Sequence, residues 1–189
     1  MFKSCVLIML TLFAGAASAH TGPHDLGGFI SGFSHPLLGI DHLLFMFGVG
    51  LWASRLSLTQ ALITLLSFLS FMLIGTGLAR QGLVIPGLET GILGSVMVVS
   101  FLLASSRPIS TLLIAVLLVD FALFHGFAHG LELPLSTEPS HYVLGFTLST
   151  ALLQSIGLLI GYAINKQATI LRLWAYVTGG LGLYLLFAS

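Results

Sequence analysis

The sequence predicts an all-α membrane protein, a polytopic bundle of about six transmembrane helices that follow a cleavable signal peptide. Three observations carry this. Hydrophobic residues make up 57% of the chain and charged residues only 6%, against about 25% charged in an ordinary soluble domain. Mean hydropathy is +1.09, so lipid must be the solvent for most of the surface. Apolar runs also recur at the length of a bilayer crossing, about 20 residues, with short polar joints between them. A formal net charge of +0 leaves no basic surface for nucleic acid.

The N-terminus comes first. Lys3 supplies a positive start, Val6 to Ala14 a short apolar core, and Ala17-Ser18-Ala19 a small-residue cleavage site. The expected organisation is a signal peptide over 1–19 and one transmembrane domain over 20–189, with His20 as the mature N-terminus. Cys5 is the only cysteine and leaves with the signal, so neither a disulfide nor a thiolate ligand is expected.

Six apolar runs follow, at 27–54, 57–79, 86–105, 109–133, 141–164 and 169–188. The joints are Arg55, Arg80-Gln81-Gly82, Arg107-Pro108, Pro134 to Ser140 and Asn165-Lys166-Gln167. Export of His20 and six crossings put Arg55, Arg107, Lys166 and Arg172 on the cytoplasmic side, with only Arg80 outside, as the positive-inside rule requires. Both mature termini then lie on the outer, periplasmic side of a bacterial inner membrane. Asp25, Glu132 and Glu138 fall at the outer face, where they attract cations. Glycine pairs at Gly28–Gly32, Gly87–Gly91, Gly126–Gly130 and Gly157–Gly161 have the spacing that lets helices approach closely.

Ionisable groups inside a bilayer are costly and each needs a reason. In the first run, His35 and His42 are seven residues apart, about 10 Å along an ideal helix, too far to chelate one ion together. Asp41 points roughly 120° away from His35. Pro36 disturbs this geometry, because the residue before proline is pushed out of the α region. The expectation is that His35 caps a helix beginning at Pro36. A bend near Pro36 or Gly39 would fold His35 back toward Asp41 and His42. In the fourth run, His125 and His129 lie at i and i+4 and Glu132 at i+7, all on one face. Two histidines at i and i+4 suit a shared metal ion.

Imidazole and carboxylate without thiolate suit a borderline divalent ion, nickel, cobalt or zinc. Glu89, in the first turn of the third run, joins these groups at similar depth, though a carboxylate there also complements a helix N-terminus. Asp120 and Gln154 are expected deeper, on the onward path; as structural residues they would be a polar pair and interhelical glue, the latter with Thr147 and Thr150. His20 with its amine, beside His24 and Asp25, makes a capture site at the entrance. Met46 is expected in packing and His141 at the interface.

These residues resemble those of the HupE/UreJ family, proteins similar to nickel or cobalt permeases of hydrogenase and urease maturation. The likeness rests on His35-Pro36, Gly39 and Asp41-His42 in the first run and on Phe124-His125-Gly126, His129-Gly130 and Glu132 in the fourth. Pro86, Glu89 and Ser95-Val96 in the third, and Gly145-Phe146 to Gly157 in the fifth, add to it. It runs from His20 to the end of the chain. The resemblance implies roles in uptake for His35, Asp41, His42, His125, His129 and Glu132. It also marks a departure: family members often carry histidine where this chain has Gln154.

The function expected from all this is secondary import of a divalent metal ion, with the ion as cargo and no permanent cofactor. No G-x-x-x-x-G-K-[ST] motif for ATP hydrolysis is present. Two alternatives use the same residues, an intramembrane metal-dependent hydrolase and a haem-binding electron carrier with axial histidines.

Overall fold

The computed structural model describes residues 27–105, 109–134, 138–164 and 168–188. The expected signal peptide, its cleavage site, His20, His24, Arg107 and Lys166 lie outside the described residues. Seven helices and no strand occur among the described residues: α1 (Gly28–Leu38), α2 (Ile40–Ala53), α3 (Leu58–Arg80), α4 (Leu88–Ala104), α5 (Thr111–Leu131), α6 (Pro139–Ile164) and α7 (Ala168–Ala188).

The first apolar run is broken. Its halves, α1 and α2, meet at 77°. The break is at Gly39, not before Pro36, which corrects the expectation that His35 caps a helix starting at Pro36. Pro36 is inside α1 and buried, where its ring removes one ladder hydrogen bond without ending the helix. Gly39 turns the chain through an extended conformation, φ −73° and ψ 107°. A Cβ there would lie 3.3 Å from Asp41 Oδ1 and 3.4 Å from His42 Nδ1, so the missing side chain makes room for the two residues that follow. Asp41 occupies the first turn of α2, where a negative charge complements the helix N-terminus.

The other runs are close to their expected bounds. Ser57 and Gln60 form a capping box that starts α3. Helices α3, α5 and α6, with 169–187 of α7, are long and apolar enough to cross a membrane, and the bent α1–α2 pair makes a fifth if its two halves count as one span. The third run, expected over 86–105, forms only the 17-residue apolar helix α4, about 25 Å long against a hydrocarbon core of about 30 Å. Both of its ends are fixed locally. Gly87 enters with a left-handed φ of 71° that glycine adopts freely. At the other end the Arg55 guanidinium donates to the carbonyls of Leu102 (2.8 Å), Leu103 (2.5 Å) and Ser105 (3.1 Å), closing the negative end of the helix with a cation.

Packing follows the glycines. A Cβ on Gly126 would collide with the Met72 carbonyl, and one on Gly130 would come within 2.7 Å of the Thr76 carbonyl oxygen. Helix α5 therefore lies directly on α3, with the Thr76 hydroxyl donating to the Gly126 carbonyl at 2.9 Å. Likewise Gly157 and Gly161 of α6 seat against Phe47 and Ser54 of α2. In both pairs the contacts advance in the same order along both chains, so the partners run side by side in one direction. Helix α7 meets α4 in the opposite sense, through Gly179 and Thr178 at Ser100 and Gly182 at Val96. Phe45, Met46, Phe68, Met72, Phe146 and Leu103 fill the centre, while Leu62, Ile63, Leu66, Leu112 and Phe187 are exposed around the outside. That inversion of a soluble surface is what a lipid solvent requires.

Candidate metal centre

The bend at Gly39 brings the last turn of α1 and the first turn of α2 onto the last turns of α5. Four imidazoles converge there. Ring centroids are 5.3 Å apart for His35–His42, 4.9 Å for His35–His129, 5.0 Å for His42–His129 and 4.7 Å for His42–His125. A straight helix would have held His35 and His42 about 10 Å apart along its axis, so the break turns two separate residues into one site. His35, His42 and His129 each offer a ligand atom, all within 4.8 Å of one another. A metal–imidazole bond of about 2.1 Å puts the nitrogens of three ligands on one ion about 3.4–3.6 Å apart. Closing the group around one ion therefore needs its most widely spaced nitrogens to draw together by up to about 1.4 Å.

Surrounding contacts decide which nitrogens are free. Asp41 Oδ1 accepts the backbone N–H of His42 at 2.8 Å and sits 3.0 Å from its Nδ1. With Nδ1–H donated to the carboxylate, His42 keeps a bare Nε2, and that atom has no hydrogen-bond partner. This is the carboxylate–histidine arrangement that orients metal ligands. The Ser95 hydroxyl donates to the Ile92 carbonyl at 2.6 Å and so accepts from His125 Nε2 at 2.9 Å, leaving Nδ1 of His125 bare and unpartnered. His129 is 0% exposed with both ring nitrogens unpartnered. Glu132 Oε2 lies 2.7 Å from His35 Nε2. Buried polar atoms are normally bonded; these imidazoles instead leave several ring nitrogens without a partner in one place, which is the donor type a borderline metal ion accepts.

Two aromatic platforms hold the rings. His125 stacks on Phe45, with centroids 4.5 Å apart and planes at 7°, and His129 stacks on Phe146 at 4.3 Å and 6°. Tyr142, 1% exposed, has its ring 6.3 Å from that of His35 and a hydroxyl without a partner. Sequence reasoning missed Phe45, Tyr142 and the roles of Ser95 and Phe146, because aromatic and small hydroxyl residues in apolar helices look like ordinary packing.

Asp41 and Glu132 each meet one histidine instead of adding to the three-histidine group. Glu89 is in the first turn of α4, exposed, and outside that group. Gln154 is 1% exposed, with neither amide atom partnered. Met46 is buried in the core, as expected. His141 is exposed, 3.8 Å from Glu138. Asp120 corrects an expectation: it is exposed on α5 with Leu112, Leu113 and Val116, not on an inner path. At 100° per residue it lies roughly 140° round the helix from His125 and about 180° from His129, so turning the histidines inward turns Asp120 out.

Comparison with known proteins agrees with this residue pattern. The family model described as HupE / UreJ protein matches residues 8–185, beginning inside the expected signal peptide. Protein HupE of Rhizobium leguminosarum bv. viciae is 37% identical over 164 residues, covering 87% of this chain and 84% of that protein. No solved structure matches the chain.

Proposed function

The chain belongs to the HupE/UreJ family, and on that premise we propose that it is a secondary permease, not an enzyme, importing a divalent transition-metal ion across the bacterial inner membrane. Nickel or cobalt is the cargo. The observation that carries the reading is the convergence of His35, His42 and His129 within 4.8 Å, inside a helical bundle with an apolar exterior.

The ion is attracted to Glu132, exposed at the end of α5, exchanges water for imidazole at the three-histidine group, and passes inward between α2, α5 and α6. The membrane potential drives entry, at about 2.3 kcal/mol per charge per 100 mV, doubled for a divalent ion. Imidazole and carboxylate ligands suit these borderline ions.

Six crossings, with α4 counted as a short one, fit the helix directions. The pairs α2–α6 and α3–α5 run in parallel and α4–α7 antiparallel, as alternate crossings demand. Arg55 and Arg172 are near enough to repel each other, and Arg80 ends α3 at the opposite end from Arg55, which supports an arginine-rich cytoplasmic side. No observation on the described residues favours the hydrolase or haem alternatives.

The test is uptake of radioactive nickel and cobalt by cells expressing the chain, beside the double variant His125→Ala, His129→Ala at matched expression. Saturable uptake that vanishes in the variant is expected and ranks the two ions. Uptake that persists in the variant, or none above background with the protein in the membrane, overturns the reading.

A further inference from the structure

Beyond the histidines, the middle of α6 carries a second polar set. Ser149 and Thr150 are 0% exposed and Gln154 1%. Thr150 and Gln154 share a helix face, and Gln154 lies about 12 Å further along the axis than Phe146, the platform beneath His129. The Thr150 hydroxyl reaches Met72 Sδ at 3.9 Å. Neither Oε1 nor Nε2 of Gln154 has a hydrogen-bond partner, and nor does Ser149 Oγ. A buried amide left unsatisfied works against the fold, and a leucine of similar size would remove that penalty. The amide is therefore not explained by stability, nor by interhelical hydrogen bonding, since no such bond is made.

We propose that Gln154, with Thr150 and Met72, forms a second, inner subsite for a partly hydrated divalent transition-metal ion in transit. The inference rests on the permease reading and extends it inward. All the available donors are neutral: an amide oxygen, a hydroxyl and a thioether. They hold a divalent ion more weakly than three imidazoles and need no proton released to bind it. A weak site after a tight one is what passage requires, because an ion must bind well enough to enter and loosely enough to leave. The unpartnered Gln154 amide replaces part of the ion's water between the histidines and the far end of α2.

The test uses the full chain with Gln154→Leu and Gln154→Glu and radioactive nickel as the probe. Gln154→Leu should fold at least as well as the parent, with an equal or higher thermal midpoint. Its KM for nickel should stay within about twofold, since the outer histidines set it, while Vmax falls about tenfold. Gln154→Glu should also lower Vmax but retain more nickel through purification than the parent, and should keep that gain when His125 and His129 are alanine. A Gln154→Leu protein with parental Vmax overturns the subsite while leaving the permease reading intact. Failure of the parent to take up nickel or cobalt overturns the permease reading instead. If Gln154→Leu does not accumulate, or the parent shows no flux, the Gln154→Glu retention decides: no gain over the parent overturns the subsite.

Discussion

Replacing Asp41 by Asn separates a metal ligand from a residue that positions one. Asp41 Oδ1 receives two contacts from the next residue, the backbone N–H of His42 at 2.8 Å and Nδ1 at 3.0 Å. Asn keeps the shape and an acceptor oxygen but loses the charge that makes the imidazole a stronger donor to a metal. Removing such an outer partner typically costs about 10–100-fold in metal affinity, or about 1.4–2.7 kcal/mol. The loss of charge at the start of α2 adds only about 0.3–1 kcal/mol to the folding cost, so the variant should accumulate. The expected result is a 10–100-fold rise in the Kd for nickel, measured by calorimetry on purified protein, with a parallel rise in the KM of uptake. His42→Ala, which removes a ligand outright, should be worse. Equal damage from Asp41→Asn and His42→Ala would make Asp41 itself a ligand, and parental affinity in Asp41→Asn would remove its orienting role; either result refutes the reasoning.

Three further outcomes follow from the packing. Asp120→Leu should leave nickel uptake within about twofold of the parent, because Asp120 is exposed on the side of α5 opposite His129; abolished uptake at normal expression would return it to the ion path. In Gly126→Ala, the new Cβ meets the Met72 carbonyl and should cost about 1–3 kcal/mol as overpacking, seen as a lowered thermal midpoint in detergent; an unchanged midpoint would contradict the close α3–α5 contact. Arg55→Ala should expose the carbonyl end of α4 and destabilise by roughly 1 kcal/mol, with Arg55→Lys recovering part of it, since one ammonium cannot reach all three carbonyls; thermal midpoints of the three proteins read this directly.

Much of the site is legible along the chain. His125, His129 and Glu132 share a helix face by spacing alone, and the glycines between them announce a close neighbour. The same angular arithmetic extended nine residues back would have placed Asp120 on the outside. His35 was harder: on a straight helix it is too distant from His42, and only the Gly39 break joins them. Proline was the more conspicuous breaker, yet it is glycine that turns the chain. Ser95, Phe45, Phe146 and Tyr142 were unreadable as site residues, because their meaning depends on which helix faces which.

By itself the sequence determined the solvent and the elements. A chain with 6% charged residues can satisfy its backbone in lipid only within helices or a closed barrel, and its 20-residue apolar runs select helices. It also determined the chemistry on offer, imidazole and carboxylate without thiolate. Tertiary structure alone decided which groups meet. Three histidines from α1, α2 and α5 share one centre because a 77° bend and glycine-seated helix pairs set distances that no local periodicity encodes. The bare nitrogens are a property of that assembly, since a tautomer is fixed by whatever neighbour the fold supplies.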